Sequence, residues 1–484
     1  MSSRPLYLAH AFGERYDLPI PLLLFVLGGV AVVILSFLLV LPRGVVDDNG
    51  SDGMPDRPPV TPTQTGWTAV SLFALLLLAG CGLLGSDVVS ENLLPTVFWL
   101  LVWIVVPLSC GLLGDWTRPV NPFANLVRLV DRPAVRRALL ARSSPLHYPE
   151  RLAWWPAVVL FFALACGELI FNLTVTRPHV IALGLMTYAL LSVVLGLLFG
   201  QAWLARGEVF SVLFATWGRL GYLRFGAPGR RGFAGGLAAP FERTASRVVF
   251  VMLLLISVNF DGLLATPQWN LFERARASVD QDAVQTLRTV SFLALTAVIC
   301  AIFGAFAITA ARTGGHRTGF RDSLSGLLPS LLPIAYGYLL AHNAQYVLVN
   351  AQLLGPLLGN PVGSQSWPLH LPAPFNDSYE PSATFLPSAF YWYLGVVAIV
   401  VAHVVAVVLA HRHLTRRAVD ERRARNSEYP WLVAMVAYTA FSLILIAQPL
   451  VQESPPTKQP SALPTSIGAL GQGTTGVTSG TMAS

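Results

Sequence analysis

Several ionisable side chains lie inside long apolar stretches of this chain, where a charged group is costly and marks a candidate functional site. Glu168 and Asp261 supply carboxylates in two such stretches, and His342 supplies an imidazole in a third. Groups of this kind, brought together, can bind a divalent metal ion and activate water. They can equally form a proton relay or line a substrate path. We predict that these three residues form a catalytic site, and their types leave the choice between those chemistries open.

Other polar residues nearby extend this candidate site. Asn172 follows Glu168 by one helical turn, and Tyr338 and Tyr346 lie one turn before and after His342 on the same helix face. No HExxH-type motif joins the candidate ligands, so any metal site must be assembled between helices. The side chains predicted to bind a substrate are Tyr338, Tyr346, Asn172 and Trp367, and the candidate metal ligands are Asp261, His342 and His179.

The composition shows which elements must position these residues. Of the 484 residues, 54% are hydrophobic and only 12% are charged, whereas soluble domains carry about 25% charged residues. Apolar stretches of about 20 residues cross a bilayer as helices. The sequence therefore predicts an all-α polytopic membrane protein with about ten transmembrane helices. The spans are expected at 20–41, 67–86, 95–114, 153–173, 179–199, 246–265, 287–311, 326–346, 385–411 and 431–451.

The arginines assign the sides of the membrane. Alternate loops hold 25 of the 32 basic residues; they are 42–66, 115–152, 200–247, 312–325 and 412–430. Loops rich in Lys and Arg face the cytoplasm, so we predict that both termini lie outside. The same topology accounts for the net charge of +7, and we expect no nucleic acid as a partner. Glu168, Asp261 and His342 then fall in the outer third of the membrane, which indicates an outer-facing polar cavity.

Three parts complete the predicted organisation. Residues 1–19 form an extracytoplasmic segment, residues 20–451 form the transmembrane domain, and residues 452–484 form a disordered tail rich in Pro, Ser, Thr and Gly. The outer loop at 347–384, which carries Trp367, is long enough to be structured. It is interpreted either as a functional loop or as a rigid lid over the helix ends.

The segment at 200–223 has the least regular pattern. Arg206, Glu208 and Arg219 interrupt its apolar residues, which is typical of an amphipathic helix at the membrane interface. We expect these three residues to form ion pairs at the surface. If the segment crossed the bilayer, every later loop would change sides.

Three short segments carry a resemblance. They are HAFGERYDLP at 10–19, DGLLATP at 261–267 and AHN at 341–343. With them the chain resembles a bacterial family of polytopic membrane proteins named fenitrothion hydrolases, and the resemblance covers most of the chain except the tail. It implies hydrolysis of a phosphotriester bond in an organophosphorus insecticide, with release of a nitrophenol. It implies no particular catalytic residue.

The residues and the resemblance together predict a multi-pass hydrolase of the bacterial cytoplasmic (inner) membrane. The expected partners are the lipid bilayer, an apolar small-molecule substrate and a second membrane subunit. The sequence does not identify a cofactor, and a divalent metal ion is the candidate that these residue types favour.

Two other functions fit the same sequence. With ten spans, spans 1–5 and spans 6–10 have inverted topology, and the third and eighth spans both carry proline and glycine. Both features are typical of secondary transporters. The other alternative is a non-catalytic subunit, or a metal-handling accessory protein, of a membrane complex.

Overall fold

The computed structural model describes residues 27–31, 34–35, 65–225, 232–277, 280–376, 378–379, 381–382 and 384–447. Helices form the regular structure of this part of the chain, and no strand element occurs in it, which confirms the all-α class. The predicted segment at 1–19, most of the first span and the tail at 452–484 lie outside the described residues.

The described helices are numbered here in chain order. They are α1 (Thr65–Leu84), α2 (Leu93–Leu113), α3 (Pro122–Val130), α4 (Pro133–Leu140), α5 (Trp155–Leu169), α6 (Asn172–Val175), α7 (Pro178–Phe199), α8 (Gln201–Arg206), α9 (Val209–Trp217), α10 (Ala245–Leu264), α11 (Pro267–Ala277), α12 (Gln281–Thr313), α13 (Phe320–Asn350), α14 (Leu354–Gly359), α15 (Ser388–Arg417) and α16 (Glu421–Ala447). Eight of them are long and apolar enough to cross a bilayer, namely α1, α2, α7, α10, α12, α13, α15 and α16. The chain is therefore a multi-pass helical membrane protein.

The span predicted at 153–173 is interrupted. Helix α5 has 15 residues, and a helix of that length extends about 22 Å, which is less than the hydrocarbon thickness of about 30 Å. The backbone amides of Ile170 and Phe171 both donate to the carbonyl oxygen of Cys166, at 2.8 and 3.0 Å. These bonds close the last turn, and α6 starts at Asn172. Glu168 therefore lies beside a break between two helices.

The sequence predicted a single amphipathic helix at the membrane interface for residues 200–223, and this prediction is wrong. The segment forms α8 and α9, and most side chains of α9 are buried. Glu208 is fully buried, because it caps α9 by accepting hydrogen bonds from the amides of Phe210 and Ser211, at 3.1 and 2.7 Å. It also accepts from Asn121 and Tyr188, at 2.9 and 2.7 Å. The prediction that Glu208 forms ion pairs at the surface is therefore wrong. Its carboxylate instead accepts hydrogen bonds from donors inside the protein.

The long helices give the bundle two distinct ends. Helix α13 packs antiparallel against α15, since a Cβ added at Gly326 would meet the ring of His413, and one added at Gly337 would lie 2.6 Å from Cβ of Ala402. Small residues at such contacts are typical of membrane helix pairs. At one end, the guanidinium of Arg247 lies 4.2 Å from the ring centre of Trp154. Asp261 follows Arg247 by 14 residues on α10, about 21 Å along a helix axis, and so lies toward the opposite end.

Candidate functional site

Glu168, Asp261 and His342 converge on one cavity from α5, α10 and α13. This first cavity has a volume of about 60 Å³ and adjoins a second of about 70 Å³, which the same three residues also line. A buried water needs about 10–15 Å³ measured in this way. Each cavity therefore has room for several water molecules next to two carboxylates and an imidazole.

Asp261 and His342 form a carboxylate–imidazole pair. The Nε2 atom of His342 lies 2.6 Å from Oδ2 of Asp261, and the two side chains are 10% and 15% exposed. This contact links α10, which carries Asp261, to α13, which carries His342. A hydrogen bond of this kind fixes the orientation of the ring.

Glu168 is held by a tryptophan on a distorted part of α2. The indole N–H of Trp103 donates to Oε2 of Glu168 at 2.6 Å, and the indole stacks on the ring of Phe161 at 5.5 Å. Trp103 lies in the stretch Thr96–Val105, which is a π-helix. Helices of this type are rare and often occur at functional sites. Sequence reasoning missed Trp103, and its only signal was the spacing of four residues from Trp99.

Two of the predicted substrate-binding residues lie at the site. Asn172 and Tyr346 line the second cavity, together with Trp99, Thr176 and Asn343. Asn172 belongs to the short helix α6, whose Leu173 is 72% exposed. The second cavity therefore extends from the paired ionisable residues toward the surface near α6.

Tyr338 and Trp367, the other two predicted substrate-binding residues, lie elsewhere. Tyr338 is 1% exposed and packs edge-on against His403 and Tyr438, with ring centres 6.2 and 6.4 Å away. Trp367 belongs to the loop between α14 and α15, in which the carbonyl oxygen of Val362 accepts from the amide of Ser86 at 2.7 Å. That loop packs over the connection between α1 and α2, and Trp367 lines neither cavity.

His179 does not join Asp261 and His342. Its Nδ1 atom lies 2.5 Å from Oδ1 of Asp87, and both side chains are about half exposed. The hydrogen bond with His179 holds the pKa of Asp87 below its usual value. In the described part of the chain, no group of three or more His, Cys, Asp or Glu side chains is arranged to hold a metal ion. His179 therefore lies apart from Asp261 and His342, the other two candidate metal ligands.

Polar side chains continue from the site into the bundle. The amide nitrogen of Asn259 donates to the hydroxyl of Tyr438, and Nε2 of His403 lies 2.7 Å from the hydroxyl of Thr439. Tyr338 packs between these two pairs. Asn259, Tyr338, His403 and Thr439 are all at most 1% exposed. A column of buried polar groups thus extends from the level of Asp261 toward the arginine-rich end.

The side chains of the site are of types that can accept protons and donate hydrogen bonds. A carboxylate next to water can accept a proton, and an imidazole held by a carboxylate can donate a hydrogen bond to a developing negative charge. Carboxylates and imidazoles serve many different reactions, so similarity to a protein of known function would help to choose among them. No protein-family model, curated protein or solved structure matches this chain.

Proposed function

We propose that this chain is a membrane hydrolase that cleaves an organophosphorus triester such as fenitrothion at the cavity of Glu168, Asp261 and His342. The observation that carries the proposal is that two carboxylates and an imidazole from three helices line one water-sized cavity. The resemblance adds support, because two of its segments contribute Asp261, His342 and Asn343 to that cavity. The arginine distribution supports an outer-facing site in a bacterial cytoplasmic membrane.

In this proposal, Glu168 is the general base. It accepts a proton from a water molecule in the cavity, while the water oxygen forms a bond to phosphorus. The bond between phosphorus and the aryl oxygen breaks, and the nitrophenolate leaves with the electron pair. His342, oriented by Asp261, donates a hydrogen bond to the terminal oxygen or sulfur on phosphorus as negative charge develops there. The proposed steps use only these three side chains and water.

The size of the cavities determines how such a substrate would bind. Volumes of about 60 and 70 Å³ are smaller than the roughly 300 Å³ needed to enclose a drug-sized ligand. Only the phosphorus centre enters, while the aryl group stays near the opening, where Trp99 and Tyr346 lie. An apolar triester partitions into lipid, so the bilayer supplies it close to this opening.

The proposal is tested with the purified protein in liposomes. We expect release of the nitrophenol from fenitrothion, measured by absorbance, and none from protein-free liposomes. In ¹⁸O-labelled water, the label should appear in the phosphorus-containing product, because water attacks phosphorus. A chelator should leave the rate unchanged. Absence of release, or label in the nitrophenol, would contradict the proposed reaction.

Proton-coupled transport is a second candidate, and the buried polar column favours it. Within the described residues, Oδ1 of Asn259 lacks a hydrogen-bond partner, and the buried hydroxyl of Tyr338 lies beside the hydroxyls of Ser442 and Thr439. An unpaired polar atom in a bilayer interior costs several kcal/mol, so internal water is expected next to Asn259. The break after α5 and the two prolines inside α13 are also typical of transporters.

A proton-uptake measurement separates the two candidates. For a transporter, liposomes with a pH-sensitive dye inside should acidify when a potassium gradient and valinomycin impose a negative internal potential. Tyr438→Phe should slow uptake about tenfold or more, because it removes a hydroxyl from the column. Tyr429→Phe, at a 54% exposed tyrosine on the same helix, is the matched control. Absence of uptake by the unmodified protein would exclude proton conduction along this column.

A further inference from the structure

A larger cavity lies away from the site, at the arginine-rich end of the bundle. Its volume is about 500 Å³, and it is bounded by α13, α15 and the segment at 233–243. One part of its wall is apolar, with Val404, Val405, Val408 and Leu409. The other part is basic, with Arg243, Arg412, His413, Arg416 and Arg417. No Asp or Glu side chain lines the cavity in the described part of the chain.

The two parts of the wall follow one face of α15. Val405, Leu409, Arg412 and Arg416 recur every three or four residues, so they lie on the same side of the helix. From Val404 to Arg416 the helix rises about 18 Å. The cavity therefore combines an apolar groove at membrane depth with a cationic opening near the helix end.

The opposite wall is held in place by two buried arginines. Arg219 is 4% exposed and Arg247 is 2% exposed. The Nε atom of Arg219 donates to the carbonyl oxygen of Gly236 at 3.1 Å, and the guanidinium groups of both arginines lie over the ring of Phe241, at 4.0 and 4.9 Å. These contacts fix the segment at 233–243 against the bundle, so the cavity is formed by the folded protein itself.

We propose that this cavity binds an anionic phospholipid from the surrounding bilayer. Its phosphate lies against Arg243, Arg412 and Arg417, which are all exposed to the opening, and guanidinium groups match the geometry of phosphate oxygens. One acyl chain lies along Val404 and Val408. The inference does not depend on the hydrolase proposal, since this cavity shares no lining residue with the two cavities at Glu168, Asp261 and His342.

The test measures which lipids stay with the protein. The protein is purified from membranes of defined composition, with equal phosphatidylglycerol and phosphatidylcholine, and its retained lipids are quantified by mass spectrometry. We expect phosphatidylglycerol to be enriched, and Arg412→Gln with Arg417→Gln to lower its retention about 30-fold, since each arginine near a membrane contributes about 1 kcal/mol. Arg422→Gln with Arg425→Gln, two exposed arginines at the same end of the bundle, is the matched control.

A second pair of variants tests the apolar wall of the cavity. Val408→Trp fills the groove and should also lower retention, whereas Val401→Trp, at a 56% exposed position outside the cavity, should not. Phosphatidylglycerol should raise the melting temperature of the unmodified protein, and inorganic phosphate alone should not. Equal retention of both lipids, equal losses in the control variants, or the same shift with phosphate would overturn the proposal.

Discussion

Replacing Asp261 by Asn, or His342 by Gln, is expected to lower nitrophenol release by about 10²–10³-fold, the range that loss of one hydrogen-bond donor to a developing negative charge costs. Asp261 orients the ring of His342 through the 2.6 Å contact, so either change removes the same donor. Because the two residues act as a unit, the double variant should be only slightly slower than either single variant. Initial rates in liposomes, corrected for the amount of protein inserted, give the comparison.

The chain contains its own control for this experiment. Asp87 and His179 form a pair of the same types, with their polar atoms 2.5 Å apart, but both side chains are about half exposed. Asp87→Asn and His179→Gln should change the rate less than about twofold, since exposed ion pairs contribute little. A large loss in these variants, or normal rates in Asp261→Asn and His342→Gln, would contradict the assigned site.

Glu168→Gln is expected to have a comparable effect, a loss of about 10²–10³-fold in kcat, because an amide cannot accept the proton from water. The glutamine can still accept the hydrogen bond from Trp103, so the fold should be kept and thermal melting should be nearly unchanged. Trp103→Phe tests the support of the base and should cost about tenfold in kcat through misplacement.

Glu91→Gln is the matched control for Glu168, because Glu91 is an exposed glutamate between α1 and α2. Its rate should equal that of the unmodified protein. If Glu168→Gln kept its full kcat, Glu168 would not be the base. If the Glu168→Gln variant failed to fold, Trp103→Phe would still test whether Glu168 is the base.

The sequence indicated the grouping of Glu168, Asp261 and His342 for a physical reason. A buried ionisable group in lipid is costly, so few are kept, and the alternation of arginines along the chain placed these three at one depth. The parts of the site that depend on backbone detail were not predictable in this way. Composition does not show that a helix ends at Leu169, nor that the Thr96–Val105 stretch takes the π form.

Helical periodicity also has a clear limit in this protein. It placed Tyr338, His342 and Tyr346 on one face of α13, but that helix is 31 residues long and meets different neighbours at different depths. His342 and Tyr346 therefore line the second cavity, while Tyr338 lies one turn deeper against Tyr438. Burial of Glu208 was missed for a related reason, because its donors Asn121 and Tyr188 come from distant parts of the chain.

In the π-helix at Thr96–Val105, membrane insertion and the orientation of Trp103 depend on different features of the segment. Each of its turns takes about one residue more than an α-helical turn. Deleting a single residue there would let the segment become α-helical, and would rotate the residues on one side of the deletion by about 100° relative to the other. The segment would keep its apolar composition and still insert, while Trp103 would point away from Glu168. Insertion thus depends on what the segment contains, and the site depends on how many residues it has.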